Sequence, residues 1–440
     1  MRDFLKEIES RILVHDGSKG YMLQRLGLKG GECGETWNLN NQDAVRNVYR
    51  AYLEAGSDVI QTNTFQGNRV NLRKYSLEDR TYEINYWGTK LAREVAGSDT
   101  FVSASIGPTG VLFEPSGELN FDRAYEIYKE QVKAVADGGA DIINFETFTD
   151  LAEMRAALLA AKEQSNLPVI CSMAFENGGR TLMGTEPFVA VTVLKSLGAD
   201  LVGTNCSFGP EHMVGIVEAM YEAGGGYLSV KPNAGLPQVI GDNVVYSETA
   251  GHFAELAAEF AKYGARLIGG CCGSTPDFIR ALKSKVGSLS PVPVGEWNRN
   301  IITSNIRHMD VSQLDWKNTG RLDAAVNMGL SDALRKNDLS FIEDTALDLA
   351  TEGYDAIHIN IDAASDGAEL LKNVADRVQW YVREPLILET QNPEALDKAL
   401  RVYRGIAGVM LSGAPSQKQT ELIALAARYG SVIIDPTILK

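Results

Sequence analysis

The chain repeats one pattern of hydrophobic and polar positions. A small residue and an acidic or polar residue lead into a short apolar run that ends in polar residues, as in AGSDVIQTNT, GGADIINFET, LGADLVGTNC and YGARLIGGCC. Apolar runs of about four to eight residues without alternation indicate strands that are buried on both faces, as in parallel sheets. Eight candidates lie between Arg11 and Cys272: RILVHDG, SDVIQTNT, TFVSASIGP, ADIINFET, LPVICSMAF, ADLVGTNCS, GYLSVKPNAG and ARLIGGCC.

The segments between these strand candidates have helical periodicity. Between Phe121 and Gly139, for example, apolar residues recur at steps of three or four beside charged neighbours. Most candidate helices end at a glycine, which is typical of a left-handed C-cap; these are Gly56, Gly139, Gly198 and Gly264. Eight strand-helix steps on about 280 residues predict an α/β fold of the (β/α)8 TIM barrel type. A doubly wound sheet is the alternative.

A second, smaller unit is predicted after the barrel. The stretch GSLSPVPVGEWNRN is punctuated by Pro and Gly, which is typical of a linker. We therefore predict a barrel at 1–288, a linker at 289–308 and a smaller α/β domain at 309–440. Its four strand candidates are DAIHINI, PLILE, GVMLS and SVIID, with helical segments at Asp338–Glu352 and Asp366–Val382. Four such steps correspond to half of a second barrel, whose open edges need cover from helices, from the first domain or from a homo-oligomer.

Composition narrows the classes of partner. The 440 residues carry a formal net charge of -15, and no cluster of Lys and Arg offers a basic face, so we expect no nucleic-acid partner. There is no run of about 18 apolar residues that could span a bilayer, so no membrane association is expected. The N-terminal MRDFLKEIESRILVHDG does not resemble a secretory signal, and we expect a cytoplasmic protein.

Three of the five cysteines fall at predicted strand ends. Cys206 ends the sixth candidate strand and Cys271 and Cys272 end the eighth, whereas Cys33 and Cys171 are predicted to be structural. The C-terminal strand ends of a TIM barrel build its active site, so the three sulfurs should converge there. Zinc favours tetrahedral sulfur coordination at about 2.3 Å, and a catalytic zinc keeps one open position for a substrate. The assignment requires the sulfurs to lie within about 6 Å of one another.

This cysteine set predicts that a substrate thiol is bound and activated as a thiolate. A zinc hydrolase or lyase is a second interpretation, but none of the five histidines has HExxH spacing. A non-catalytic assembly protein, in which the barrel serves as a scaffold, is the third.

Other polar residues at the strand ends are candidates for substrate binding. They are Asp16, Thr62, Asn63, Thr64, Ser105, Glu146 and Asn205, together with Gly17. Alternatives remain for several of them, because Asp16 could form a turn with Gly17, Glu146 could be a surface carboxylate, and Asn63 could belong to the barrel wall. Asn205 could cap its strand or orient a thiolate through its amide.

Eight motifs carry a family resemblance over the whole barrel. DGSKG, QTNTF, SIGPTG, NFETF, GRTLMGT, GTNCSFGP, KPNAGLP and GGCCGSTP occur in this order between Asp16 and Ile279. This region resembles the zinc-dependent homocysteine S-methyltransferases, and specifically the N-terminal homocysteine module of cobalamin-dependent methionine synthases. The resemblance implies methyl transfer to the thiol of homocysteine, giving methionine.

The same resemblance implies roles for individual residues. Cys206, Cys271 and Cys272 would be the Zn2+ ligands and the catalytic centre, and the acids Asp16 and Glu146 would face the ammonium of homocysteine. The carboxylate of an amino acid needs hydrogen-bond donors, which Thr62, Asn63, Thr64, Ser105 and nearby backbone amides could supply. Gln61 stands where many relatives are expected to have Glu.

The second unit resembles the first half of the methyltetrahydrofolate (pterin)-binding barrel of methionine synthases. Asn360 and Asp362 lie where that family has an early pterin-contacting amide and acid, but the later strands have no counterpart before Lys440. No corrinoid-binding DxHxxG motif occurs in the sequence. We therefore expect methylcobalamin on a separate corrinoid protein as the methyl donor. The alternative is methyl transfer to homocysteine or a related thiol from a small donor, namely betaine, S-methylmethionine or methyltetrahydrofolate.

Overall fold

A computed structural model describes residues 2–240, 243–336, 338–364, 367–411 and 413–435. The strands are β1 Leu13–Val14, β2 Val59–Gln61, β3 Phe101–Ile106, β4 Ile142–Phe148, β5 Val169–Met173, β6 Leu201–Asn205, β7 Leu228–Lys231, β8 Pro237–Ile240, β9 Asn243–Tyr246, β10 Ala265–Ile268, β11 Ile301–Thr303, β12 His308–Asp310, β13 Thr319–Asp323, β14 Ala356–Asn360, β15 Leu386–Glu389, β16 Gly408–Met410 and β17 Val432–Ile434.

The helices alternate with these strands along most of the chain. They are α1 Phe4–Ser10, α2 Lys19–Arg25, α3 Trp37–Asn40, α4 Gln42–Glu54, α5 Arg69–Arg73, α6 Thr81–Ala96, α7 Phe121–Asp137, α8 Leu151–Gln164, α9 Pro187–Ser196, α10 Pro210–Glu222, α11 Ala250–Glu259, α12 Pro276–Val286, α13 Met328–Arg335, α14 Leu339–Thr351, α15 Ala368–Tyr381, α16 Pro393–Val402 and α17 Ser416–Arg428. Within the described ranges, no helix combines the length and the apolar character needed to cross a bilayer.

The chain divides into two compact units. The first contains the chain up to Met183 together with Ala199–Trp297, and the second contains Gly184–Gly198 and the chain from Asn298 onward. Helix α9 follows β5 along the chain but is grouped with the second unit. The domain boundaries at 1–288, 289–308 and 309–440 stay a prediction, and residues 436–440 lie outside the described residues.

The first unit is a barrel of eight parallel strands. They pair in the order β1-β10-β7-β6-β5-β4-β3-β2, and a bridge between His15 and Val59 joins the two ends of this series. All eight predicted strands are present, so the predicted TIM barrel is confirmed. The four predicted glycine caps also hold, with φ of +97° at Gly56, +95° at Gly139, +87° at Gly198 and +75° at Gly264.

The two ends of the barrel differ in chemistry. Its N-terminal end contains an apolar cluster in which Phe4 and Ile8 of α1 pack against residues from seven strands of the barrel. The rings of Phe4 and Phe101 meet edge to face at 5.5 Å. Each large apolar side chain buried here contributes roughly 1.5–3 kcal/mol to stability. This end of the barrel is filled by apolar side chains. A polar binding site is therefore expected at the opposite mouth, where the C-terminal ends of the strands carry polar residues.

An antiparallel hairpin, β8–β9, follows β7 and was not predicted from the sequence. It brings Tyr246 to the mouth of the barrel, beside the loop after β10. A Cβ built on Gly273 would lie 2.3 Å from the Tyr246 ring, and Gly273 has a φ of +76°. The tyrosine and the loop after β10 can therefore approach only because residue 273 has no side chain.

The second unit contains a five-stranded parallel sheet in the order β13-β14-β15-β16-β17 and a hairpin, β11–β12. The sequence predicted four strands, and β13 was missed because TGRLD has few apolar residues. Both predicted helices are present as α14 and α15, although Asp366, where the second was predicted to begin, lies outside the described residues.

Candidate active site

Three cysteine sulfurs converge at the C-terminal mouth of the barrel. The Sγ atoms of Cys206, Cys271 and Cys272 all lie within 4.8 Å of one another, and Cys206 and Cys272 are 3.9 Å apart. Tetrahedral zinc with bonds of about 2.3 Å places its sulfur ligands about 3.8 Å apart, so small shifts would suffice to bind the ion. The three sulfurs thus lie within the distance of about 6 Å that the zinc assignment requires. Cys33 and Cys171, predicted to be structural, are both buried outside this group.

The backbone around Cys206 is held in an uncommon conformation. Cys206 and Ser207 have φ of +65° and +60°, which costs energy for residues with a side chain and is typical of functional sites. The Cys206 N–H donates to the Lys231 carbonyl at 3.1 Å, and the Cys271 N–H donates to the Pro232 carbonyl at 2.7 Å. Both cysteine-bearing loops are thus fixed to the end of β7.

The three thiols affect one another's ionisation. Hydrogen bonds from the Cys271 and Cys272 thiols hold the pKa of Cys206 well below its ordinary value. The same contacts with Cys206, together with burial, raise the pKa of Cys271 and Cys272. A divalent cation would displace protons from these thiols, because the thiolate is the form that binds metal.

Asn205 contacts this cluster through its amide. Its Nδ2 donates to Thr147 Oγ1 at 2.8 Å and lies 3.6 Å from the Cys271 sulfur, and its Oδ1 accepts the Thr147 N–H at 2.7 Å. The side chain is therefore anchored on β4 while one N–H is directed at a sulfur. Of the two roles considered for Asn205, this geometry favours orientation of a thiolate.

Glu146 is buried and engaged by three side chains. Its Oε2 accepts a hydrogen bond from Lys231, whose side chain is 1% exposed. Its Oε1 accepts hydrogen bonds from Ser105 Oγ and, at 2.5 Å, from Gln61 Nε2. Glu146 is therefore not a surface carboxylate, and both of its oxygens are already hydrogen-bonded.

Asp16 is also paired with a buried lysine. Its Oδ2 accepts hydrogen bonds from Lys19 Nζ and, at 2.9 Å, from the Gln61 N–H. Burial by itself would raise the pKa of Asp16, but the charge of Lys19 and the contact with His15 hold that pKa below its ordinary value. Burial lowers the pKa of Lys19, and Asp16 opposes this shift. Asp16 is completely buried behind Lys19 and is not part of the cavity wall.

The hydroxyl and amide candidates mainly hold the barrel together. Thr64 Oγ1 donates to the Ser105 carbonyl at 2.7 Å, and Thr62 Oγ1 accepts the Ser105 N–H at 3.0 Å. Asn63 Nδ2 donates to the Gly34 carbonyl at 2.9 Å and to Asn38 Oδ1 at 3.0 Å. Their role in binding a substrate carboxylate stays a prediction.

A cavity of about 460 Å³ joins the cysteines to the other candidates. Gly17, Thr62, Asn63, Ser105 and Glu146 line it, whereas Thr64 and Asn205 do not. Its wall also includes residues that the sequence analysis did not select, notably Lys19, Gln61 and Tyr246. Two lysines near the site could have been found from the sequence. Lys19 lies within the DGSKG motif, and Lys231, the partner of Glu146, lies within KPNAGLP.

Comparisons with known proteins identify the family to which the chain belongs. The homocysteine S-methyltransferase family model matches residues 13–286. Methionine synthase of Mycobacterium tuberculosis (strain ATCC 25618 / H37Rv) is 29% identical over an alignment 466 positions long, covering 99% of this chain and 39% of that protein. Methionine synthase of Mycobacterium leprae (strain TN) is 28% identical, with 99% and 39% covered. The chain thus spans about two fifths of the length of these relatives.

Solved structures show a similar fold. The homocysteine methyltransferase MmuM from Escherichia coli, in its oxidized form, has a TM-score of 0.54 and 22% identity, covering 62% of this chain and 95% of that one. Its metallated form has the same TM-score and identity, covering 62% and 96%. The family match spans more than half of the chain, and the matched range includes the three clustered cysteines. The chain belongs to the homocysteine S-methyltransferase family.

Proposed function

We propose that this protein is a zinc-dependent S-methyltransferase that transfers a methyl group to the thiol of homocysteine, giving methionine. The observation that carries this proposal is the convergence of Cys206, Cys271 and Cys272 on one side of a cavity at the barrel mouth. Family membership supports methyl transfer as the reaction class. Three cysteine ligands without a histidine are a suitable set for a zinc ion that binds and activates a substrate thiol.

The donor set suits zinc, because three soft sulfur ligands leave a fourth position for a thiol. Bound zinc would supply the Lewis acidity that keeps an acceptor thiol deprotonated near neutral pH. Asn205 would orient Cys271 through its amide. The neighbouring Cys272 is held by its backbone, because its N–H donates to Asn233 Oδ1 at 3.1 Å. The acceptor sulfur then forms a bond to the methyl carbon, while the electron pair of the broken bond leaves with the donor.

The methyl donor is proposed to be methylcobalamin on a separate corrinoid protein. This is supported by the similarity of the chain to methionine synthases and by the resemblance of the barrel motifs to those of the cobalamin-dependent class. In the second unit, Asp362 accepts hydrogen bonds from Thr390 Oγ1 and the Gln391 N–H, both at 2.7 Å. Each oxygen of the acid that the resemblance assigned to pterin thus accepts one hydrogen bond from within the unit. We propose that this unit docks a partner or forms a homo-oligomer.

The proposed zinc site requires the protein to be in a reducing compartment. The three sulfurs must stay as thiols to bind metal, and the cytoplasm maintains thiols in that state. We therefore propose that the protein acts in the cytoplasm.

A donor panel and one cysteine variant test the function. Methionine formation from homocysteine is measured with a methylated corrinoid protein, free methylcobalamin, betaine, S-methylmethionine and methyltetrahydrofolate in turn. Turnover with a small donor alone would reject the corrinoid partner. Cys206→Ala should lose both zinc retention and turnover, whereas Cys33→Ala, which removes a buried thiol outside the cluster, should keep both. A zinc-loaded, active Cys206→Ala protein would contradict the site.

A further inference from the structure

Thr147, which follows Glu146 on the cavity wall, has an unusual backbone conformation. Its φ is +66°, in the left-handed region that β-branched residues rarely adopt. The pairing of β4 with β5 also shifts register between Phe145 and Phe148, the stretch that contains Thr147. Such irregularities re-aim a side chain at a cost in stability, and they persist where the surrounding structure requires them. The contacts of Thr147 should therefore matter for the site.

Thr147 holds the amide of Asn205 at two points. Its N–H donates to Asn205 Oδ1 at 2.7 Å, and its Oγ1 accepts a hydrogen bond from Asn205 Nδ2 at 2.8 Å. Because a backbone N–H can only donate, the oxygen of the amide must face it and the nitrogen must lie on the other side. The same Nδ2 donates to the Cys271 sulfur at 3.6 Å. Thr147 thus fixes an N–H donor on one of the proposed zinc ligands.

The other two sulfurs of the cluster also have hydrogen-bond donors. The Cys206 sulfur accepts a hydrogen bond from the Ser207 N–H, and the Cys272 sulfur accepts one from the Tyr246 hydroxyl. Each of the three cysteines is therefore paired with a donor from the protein. A hydrogen bond from a neutral donor to a thiolate is charge-assisted and withdraws charge from the sulfur. A thiolate that carries such a bond is a weaker nucleophile.

A cysteine ligand is itself a nucleophile that can compete with the acceptor thiol for the methyl group. Its sulfur would form a bond to the methyl carbon, while the electron pair of the broken bond leaves with the donor. The product is a neutral thioether, which has lost the thiolate form that binds metal. Methylation of Cys271 would therefore destroy the metal site, so the protein needs a means of directing the methyl group to the acceptor sulfur.

We propose that Thr147 is a positioning residue that protects Cys271 from methylation, because it holds the Asn205 N–H against that sulfur. The donors on the three cysteines then leave the incoming thiolate as the most nucleophilic sulfur at the metal. This inference rests on the proposed function, because it requires zinc at the cysteines and an electrophilic methyl donor.

Methyl iodide tests the proposal without the natural donor. The zinc-loaded full chain is treated with methyl iodide in the absence of an acceptor, and methylation of each cysteine is followed by mass spectrometry of its peptides. Asn205→Leu should raise the methylation rate of Cys271 by about three- to tenfold, as expected for the loss of one charge-assisted hydrogen bond. The rates at Cys206 and Cys272 should change by less than about twofold, because their donors remain.

Variants at Thr147 assign the effect to this residue. Thr147→Val removes the hydroxyl that accepts from Asn205 Nδ2 and should also raise the methylation rate of Cys271. Thr147→Ser retains the hydroxyl and should behave like the unaltered protein. Loss of the N–H donor should also move the sulfur-to-metal charge-transfer band of the cobalt-substituted protein to lower energy. Thr89→Val, at a buried threonine of α6 outside the cavity wall, is the matched control.

The possible outcomes separate this inference from the proposed function. If Cys271 is methylated at the same rate in the unaltered protein, in Asn205→Leu and in Thr147→Val, the inference is overturned and the methyltransferase proposal stands. An equal increase at all three cysteines also overturns the inference, because the effect would then be a general loosening of the site. If the unaltered protein does not retain zinc, both are overturned. Should Asn205→Leu fail to fold, Thr147→Val and Thr147→Ser still give the decision.

Discussion

Replacing Lys231 by Met should strongly destabilise the barrel. The Lys231 and Glu146 side chains are 1% and 4% exposed, so the substitution leaves a buried carboxylate without its counter-ion. Removing one partner of a buried ion pair typically costs about 3–5 kcal/mol. Glu146 would keep its hydrogen bonds from Ser105 and Gln61, which places the expected loss near the lower end of this range.

The double variant Lys231→Met/Glu146→Gln tests the cause of that loss. It removes both charges, so it should recover most of the stability, to within about 1–2 kcal/mol of the unaltered protein. Urea unfolding of the metal-free full chain, followed by circular dichroism, measures the difference. Lys129→Met, which breaks an exposed ion pair with Glu126, should leave the midpoint unchanged. A single variant within about 1 kcal/mol of the unaltered protein, or a double variant no better than the single, would refute the reasoning.

Three further substitutions have expected outcomes. Gly273→Ala should lower zinc affinity in a metal titration, because the new Cβ would collide with the Tyr246 ring. Phe4→Ala should reduce the free energy of unfolding by about 3–5 kcal/mol in urea; a loss near zero would show that α1 does not seal the barrel end. Asp58→Asn should reduce stability in a pH-dependent way. Burial opposes ionisation of Asp58, but hydrogen bonds from Lys283 and Arg11 lower its pKa, so its stabilisation should be present above pH 3.8 and disappear as the pH falls below that value. Unfolding curves that differ equally at pH 7 and pH 3 would contradict this.

The barrel and the cysteine cluster could be predicted because each depends on local patterns. Strands buried on both faces give uninterrupted apolar runs, and the residue after such a run must lie at the barrel mouth. Cys206 and Cys271 were placed by this rule alone, and the structure brings them together. The strand β13 escaped detection because TGRLD has little apolar character.

The pairing of charges could not be predicted in the same way. Lys19 and Lys231 both lie in recognisable motifs, but the local sequence does not show their partners. Lys19 pairs with Asp16 across a turn, and Lys231 pairs with an acid from another part of the chain. The partners Lys231 and Glu146 are 85 residues apart. Which acid is neutralised depends on side-chain direction within the closed barrel, and a linear pattern does not contain that information.

The bridge between His15 and Val59 has a consequence for how this molecule is made. β1 is only two residues long, and its other neighbour, β10, is the last barrel strand to leave the ribosome. The ring can therefore close only late in synthesis, and such long-range pairing is slow. Cys271 and Cys272 follow β10 after two glycines, so two of the three candidate metal ligands arrive at the moment of closure. A metal captured by all three sulfurs would then fasten the newest part of the nascent barrel to its older wall.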